Sequence, residues 1–175
     1  MKKFNLLITL LFTAITYSQM ITYTSVRLEE GQNDAYIDVE KFWSKIHEQA
    51  IKEDFETGWM IWKVVPVEGD ENAANQPDFL IMNFYQDSVQ MNKGVDFYKL
   101  GRSVYSKLSK KKFDKIWEAG PYGTRNFYQL ERLDNTTWLF GDLEIGTKLT
   151  LNAFKQTDEN YEQYEMDFYK KWHNK

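Results

Sequence analysis

Gly58-Trp59-Met60-Ile61-Trp62-Lys63-Val64-Val65-Pro66 and Phe79-Leu80-Ile81-Met82-Asn83-Phe84-Tyr85, separated by a polar loop, decide the fold. Each run is short, rich in aromatic and aliphatic residues and bounded by turn formers, which predicts two strands, Trp59–Val65 and Phe79–Tyr85. Pro66 stops the first, because the residue before a proline is restricted and the proline has no N–H to give a ladder. Both parities are apolar. Trp59, Ile61, Val65, Phe79, Ile81 and Tyr85 alternate with Met60, Trp62, Val64, Leu80, Met82 and Phe84. A strand that is apolar on both sides is expected to be buried on both. Helices can cover one side, so the other is expected to meet a second sheet, from the same chain or a partner subunit.

Working outward, Met20–Leu28 is rich in Ile, Thr, Tyr and Val and predicts a first strand. After a polar turn, with Asp34 as a cap, the apolar positions Tyr36, Val39, Phe42, Trp43, Ile46, Ala50 and Ile51 predict a helix over 35–54 with one buried stripe. Beyond Tyr85, a short helix is expected from Asp87 or Ser88 to about Val95. A longer helical stretch runs from Tyr98 to Ala119, with Gly101 interrupting its start. Gly120-Pro121-Tyr122-Gly123 is a break. Asn126–Leu133 reads as a fourth strand. Thr137–Phe140 extends or pairs with it, Lys148–Lys155 reads as another strand, and Asp158–Trp172 as a closing helix. The order β-α-β-β-α-β, plus an additional β-α, begins as the split β-α-β pattern does. The fold expected is α+β: a ferredoxin-like antiparallel sheet with helices on one face.

The last βα unit echoes the first. Tyr23–Leu28 leading to Trp43–His47 corresponds, at a constant separation of 126, to Leu149–Phe154 leading to Tyr169–His173. Thr24 meets Thr150, Lys45 meets Lys171 and His47 meets His173. Two amphipathic βα units with chance similarity give the same picture, so a partial second repeat over 148–175 and coincidence both stay open.

The N-terminus has its own pattern. Lys2 and Lys3 precede an almost purely apolar run, Leu6–Ile15, and small residues lead to Ser18-Gln19. That is the layout of a secretory signal peptide over 1–18, cleaved before Gln19, and the run is too short for a bilayer span of about 20 residues. The chain is therefore expected to be exported, to the periplasm or beyond, as a single domain over 19–175 without stable membrane insertion. It contains no cysteine, so disulfides cannot stabilise it. Its formal net charge is −4 and its one basic run, Lys107, Lys110, Lys111, Lys112 and Lys115, suits the solvated side of a helix. Nucleic acid is not expected as a partner.

The stretch from Met20 to Tyr85 resembles small exported bacterial proteins, Bacteroidetes-type and of unassigned function, in the dimeric α+β barrel superfamily. The residues that carry this are Tyr23, Tyr36 with Val39-Glu40, Trp43-x-x-Ile46-His47, Gly58-Trp59 and Phe79–Tyr85. The resemblance implies a ferredoxin-like sheet of dimeric α+β barrel type and a homodimer through facing sheets. It implies no single activity, because the superfamily spans cofactor-free monooxygenases, haem enzymes and proteins without a known reaction. The long stretch after Gly120 departs from a minimal member.

His47 is the side chain most suited to chemistry. It stands one turn after Trp43 beside the buried stripe, where it serves either as a proton donor and acceptor or as a helix-edge hydrogen-bond donor. Tyr36, Glu40, Trp43 and His47 form one flank of the helix. Asn83 interrupts an apolar run on the face of Phe79, Ile81 and Tyr85, and a buried amide there needs partners. The expected site is His47 as catalytic residue, with Tyr23, Trp43, Asn83 and Tyr85 binding a ligand. Two histidines without cysteine argue against a metal centre, and no cofactor is expected. The function expected is binding of a small hydrophobic or aromatic molecule in an apolar, aromatic-lined cavity, extending to cofactor-free chemistry. The alternative is a non-catalytic structural or protein-interaction module.

Overall fold

The computed structural model describes residues 19–66, 68–69, 71, 73–120, 122–131, 146–148 and 160–164. The chain divides into two compact units, 1–131 and 132–175. The first contains β1 (Met20–Leu28), α1 (Asn33–Lys52), β2 (Gly58–Lys63), a 3-10 turn (Ala73–Asn75), β3 (Phe79–Tyr85), α2 (Ser88–Met91), α3 (Phe97–Val104), α4 (Lys110–Trp117) and β4 (Gly123–Glu131). Within the second, one helical turn is described, α5 (Tyr161–Tyr164), inside the predicted closing helix.

The four strands form one sheet in the order β2-β3-β1-β4, with every neighbouring pair antiparallel. The α1 crossover connects β1 to β2, and β3 runs back between them, as the split β-α-β pattern requires. Register decides which residues share a face. Trp59, Asn83, Thr22 and Gln129 lie in one row, and Ile61, Ile81, Thr24 and Phe127 in the next along that face. The helix α1 covers this face through Tyr36 against Phe79 and His47 against Trp59. The opposite face carries Ile21, Tyr23, Met60, Trp62, Leu80, Met82, Tyr128 and Leu130.

Two core clusters follow from the two sides of α1. Phe42, Ile46 and Ala50 pack with Leu100 of α3 and Phe113 of α4, while Tyr36 packs with Val26 and Phe79 of the sheet. Each large side chain buried in this way contributes roughly 1.5–3 kcal/mol.

The α+β class and the antiparallel sheet with helices stand; the barrel does not. The strands β2 and β4 are opposite edges, each paired on one side among the described residues, so the sheet is open. A closed barrel needs its edge strands to pair with each other through a tilted, staggered ladder. Smaller differences have local causes. The helix predicted across 98–119 is two helices. The break after Val104 ends at Ser109, whose side chain accepts from Lys112 N and caps α4. Gly101 lies inside α3 rather than interrupting it. The strand β4 begins three residues early, at Gly123, where an added Cβ would lie 1.8 Å from the Arg27 carbonyl oxygen, a spacing only glycine permits. Asp34 lies in the first turn of α1, behind Gln32 at the N-cap. The predicted segments 1–18, 137–140 and 149–155, and most of 158–172, lie outside the described residues.

Candidate functional site

The sheet-facing side of α1 is polar where a plain core helix would be aliphatic. Tyr36, Glu40 and His47 are buried there, at 0%, 5% and 8% exposure. Phe42, Ile46 and Ala50, on the adjoining stripe, pack with Leu100 and Phe113, which leaves these three toward the sheet.

His47 is engaged by a residue from the connection after α1. The chain leaves the helix through Asp54, whose φ of 59° is left-handed, and Phe55 N donates back to Ala50 O at 2.9 Å. Thr57 N then donates to Phe84 O at 2.8 Å, tying the connection to the sheet. Glu56, between these anchors, is directed inward. Its side chain is fully buried and its Oε2 lies 2.8 Å from His47 Nδ1. A carboxylate acceptor at Nδ1 favours the tautomer with its proton on that nitrogen. Removing one partner of a buried pair of this kind typically costs about 3–5 kcal/mol.

Three rings enclose the imidazole. Trp59 stacks on it with centroids 5.3 Å apart and planes 11° from parallel, Phe97 lies at 5.3 Å, and Trp43 at 6.0 Å. On the same face of the sheet, Asn83 stands beside Trp59 and Thr22, with Tyr85 two residues further along β3. Asn83 Oδ1 and Glu56 Oε1 are buried without a protein hydrogen-bond partner. Burial, followed by the Glu56 carboxylate, pushes the Tyr85 hydroxyl's pKa up.

One turn back along α1, Glu40 forms a second polar centre. Arg125 Nη2 of β4 lies 3.6 Å from its Oε1, and the guanidinium stands 5.8 Å from the Tyr36 ring centroid. Burial raises the Glu40 pKa, with a hydrogen bond from the Tyr36 hydroxyl and then the Arg125 and His47 charges pulling it back. Burial, then the Glu40 charge and the hydrogen bond to its carboxylate, raises the Tyr36 pKa, with the Arg125 charge opposing them.

A groove of about 270 Å³ runs between α1 and β2, lined by Ile37, Glu40, Lys41 and Ser44 of the helix and by Trp59, Ile61, Lys63 and Phe79 of the sheet. Trp59 is the common wall: its ring stacks on His47 and it borders the groove. Glu40, rather than His47, lines the groove directly.

The structure therefore places His47, which is buried, and Asn83 and Tyr85, which are half-buried, between α1 and the sheet face it covers. Trp43 touches His47 from the α3–α4 side, packed at 4.7 Å on Trp117. Tyr23 is not gathered with them. It lies on the opposite face of the sheet, 5.7 Å from Tyr128. Glu56, Trp59 and Glu40 are the residues the sequence reading left without a role. Glu56 belongs to no periodic pattern, so no local signal points to it. Trp59 and Asn83 become neighbours only through register. Among the described residues no group of three His, Cys, Asp or Glu is placed to hold a metal ion, and no helix is long and apolar enough to cross a membrane. The predicted basic run lies largely on α4, where Lys110, Lys111, Lys112 and Lys115 are exposed.

No protein-family model matches the chain, and no curated protein matches it.

Proposed function

We propose that this chain binds a small, largely apolar molecule in the groove between α1 and β2, and that the Glu56–His47 pair is the proton-handling group behind its Trp59 wall. The observation that carries the reading is the 2.8 Å Glu56–His47 contact, buried and stacked on the same indole that borders the groove. Apolar ligand surface buried against Ile37, Ile61, Phe79 and Trp59 supplies the affinity, at roughly 25 cal/mol per Å² before the entropic cost of association. The imidazole, with its orientation fixed by a carboxylate, is suited to exchange a proton through Nε2. We propose further that the protein is exported, on the sequence of residues 1–18 alone, and that it acts as a homodimer.

The experiment is ligand retention. Native mass spectrometry of the purified protein is expected to show a bound small molecule, or to show one after incubation with an apolar library. The Ile61→Trp variant, which fills the groove, is expected to lose it. Equal retention by wild type and Ile61→Trp would remove the groove from consideration. A second reading, a protein-interaction module, is favoured by one observation: Phe127, Tyr128 and Leu130 of the edge strand β4 are 61%, 51% and 42% exposed. A chain that retains nothing from such a library but captures a protein partner through β4 is the outcome that reading expects.

A further inference from the structure

Three charged residues line the groove between α1 and β2, and two of them are already engaged. Lys41 Nζ lies 2.9 Å from Asp38 Oδ1. Glu40 accepts a hydrogen bond from the Tyr36 hydroxyl and faces Arg125 at 3.6 Å. The third, Lys63, is exposed and has no carboxylate partner among the described residues. Register fixes where it stands. Trp59, Ile61 and Lys63 share one face of β2, with Phe79 opposite Lys63 in the ladder. At about 3.3 Å per residue, the floor runs about 13 Å from Trp59 to Lys63. The helix α1 meets Phe79 through Tyr36 and Trp59 through His47, so it runs antiparallel to β2 and Ile37 flanks the Lys63 end. The groove is thus an apolar trough with one unanswered cation at one end.

Resting on the groove as the binding site, we infer that its ligand is a small apolar monocarboxylate, with its body on Trp59 and Ile61 and its carboxylate at the Lys63 ammonium. Glu40 sets the direction. It follows Ile37 by about one turn toward Trp59, so its charge opposes a carboxylate placed deeper and leaves the Lys63 end to the head group. An amine in the same pose meets a like charge at Lys63. A neutral amide buries the same apolar surface but leaves the ammonium unpaired. A dicarboxylate sets its second charge on the apolar floor, beside Glu40. Most of the affinity comes from the buried apolar body, and the exposed ion pair adds a modest preference and the orientation. A volume of about 270 Å³ suits one ring with a short side chain, at the lower end of ligand pockets.

The test is a matched set of probes measured by ligand-observed NMR and calorimetry: 3-phenylpropanoate, 3-phenylpropanamide and 3-phenylpropylamine. At low salt the acid is expected to bind about three- to fivefold more tightly than the amide, the range of an exposed ion pair, with the amine weakest. In about 1 M sodium chloride the acid should fall to the level of the amide. Lys63→Met keeps an apolar stem without the charge. It should remove the preference for the acid and leave the amide's affinity unchanged, whereas Lys41→Met should keep the preference. The wild-type series decides the matter even if a variant folds poorly. If acid and amide bind wild type alike, if the amine binds tightest, or if Lys63→Met retains the preference, the inference fails while the groove remains a binding site. If no probe binds wild type at millimolar concentration, the groove reading fails with it.

Discussion

Glu40 and His47 lie seven residues apart on one side of α1, Glu40 facing Arg125 of β4 and His47 facing Glu56 in the connection just after the helix. Their environments differ in a way that can be measured. His47 has a short hydrogen bond to a carboxylate, whereas Glu40 has a long ionic contact and a raised pKa. A carboxyl whose folded pKa lies above its unfolded value binds its proton more tightly when folded. Its contribution to stability is thus fully present below the unfolded pKa, about 4.3, and is lost as pH rises through the folded value. Glu40→Gln keeps the shape without the charge. It should leave stability unchanged near pH 4 and raise it near pH 7. Urea denaturation at the two pH values measures this. A variant less stable than wild type at pH 7 would show that the Arg125 contact outweighs the burial of the charge.

At the level of secondary structure, α1, α3 and α4 approach closely because α3 presents a glycine. A Cβ on Gly101 would stand 2.9 Å from Ile46 Cδ1 and 2.9 Å from Phe113 Cζ, two fully buried side chains. Gly101→Ala gains up to about 1 kcal/mol of helix propensity, but overpacking a tight core costs about 1–3 kcal/mol. The expected net is a loss of about 1 kcal/mol, read as a lower denaturation midpoint. A rise in midpoint would mean that Ile46 and Phe113 move aside freely. The same contact shows what the sequence made legible. Met20–Leu28, Phe79–Tyr85 and the body of α1 could be read because burial on a sheet or helix face leaves a period in the residue pattern. Gly101 was misread as a break because its role depends on two residues 55 and 12 positions away. The break capped by Ser109 was not read, because the stretch around it carries an otherwise continuous helical pattern. His47, Asn83 and Tyr85 stand out in the sequence as polar groups in apolar patterns, and the fold places all three on the α1 side of the sheet. Glu56 and the true side of Tyr23 could not, since a turn has no period and register cannot be read from one strand alone.

The open sheet is the remaining large surface of the first unit, and its composition argues for a partner copy. The face opposite α1 carries Tyr23, Met60, Trp62, Leu80, Met82, Tyr128 and Leu130, an apolar and aromatic set of the kind that interface cores favour. Tyr23 and Tyr128 touch there across neighbouring strands, with Tyr128 half exposed to solvent. Of this set Tyr128 and Leu130 are the exposed large residues, at 51% and 42%, and exposed apolar residues at a sheet edge suit a contact with another chain. A two-fold contact also suits it, since the same patch would meet itself. The expected result in sedimentation velocity at micromolar concentration is twice the mass of one chain. Tyr23→Arg should shift the protein to a monomer, because closing the interface would place two like charges close together without water. Its thermal stability should change little if measured below the dimer's dissociation constant, since Tyr23 lies on the face away from the α1 core. Wild type sedimenting as a monomer under these conditions ends the dimer proposal. It leaves the groove, Glu40 and the Glu56–His47 pair untouched, because all of them lie on the other side of the sheet.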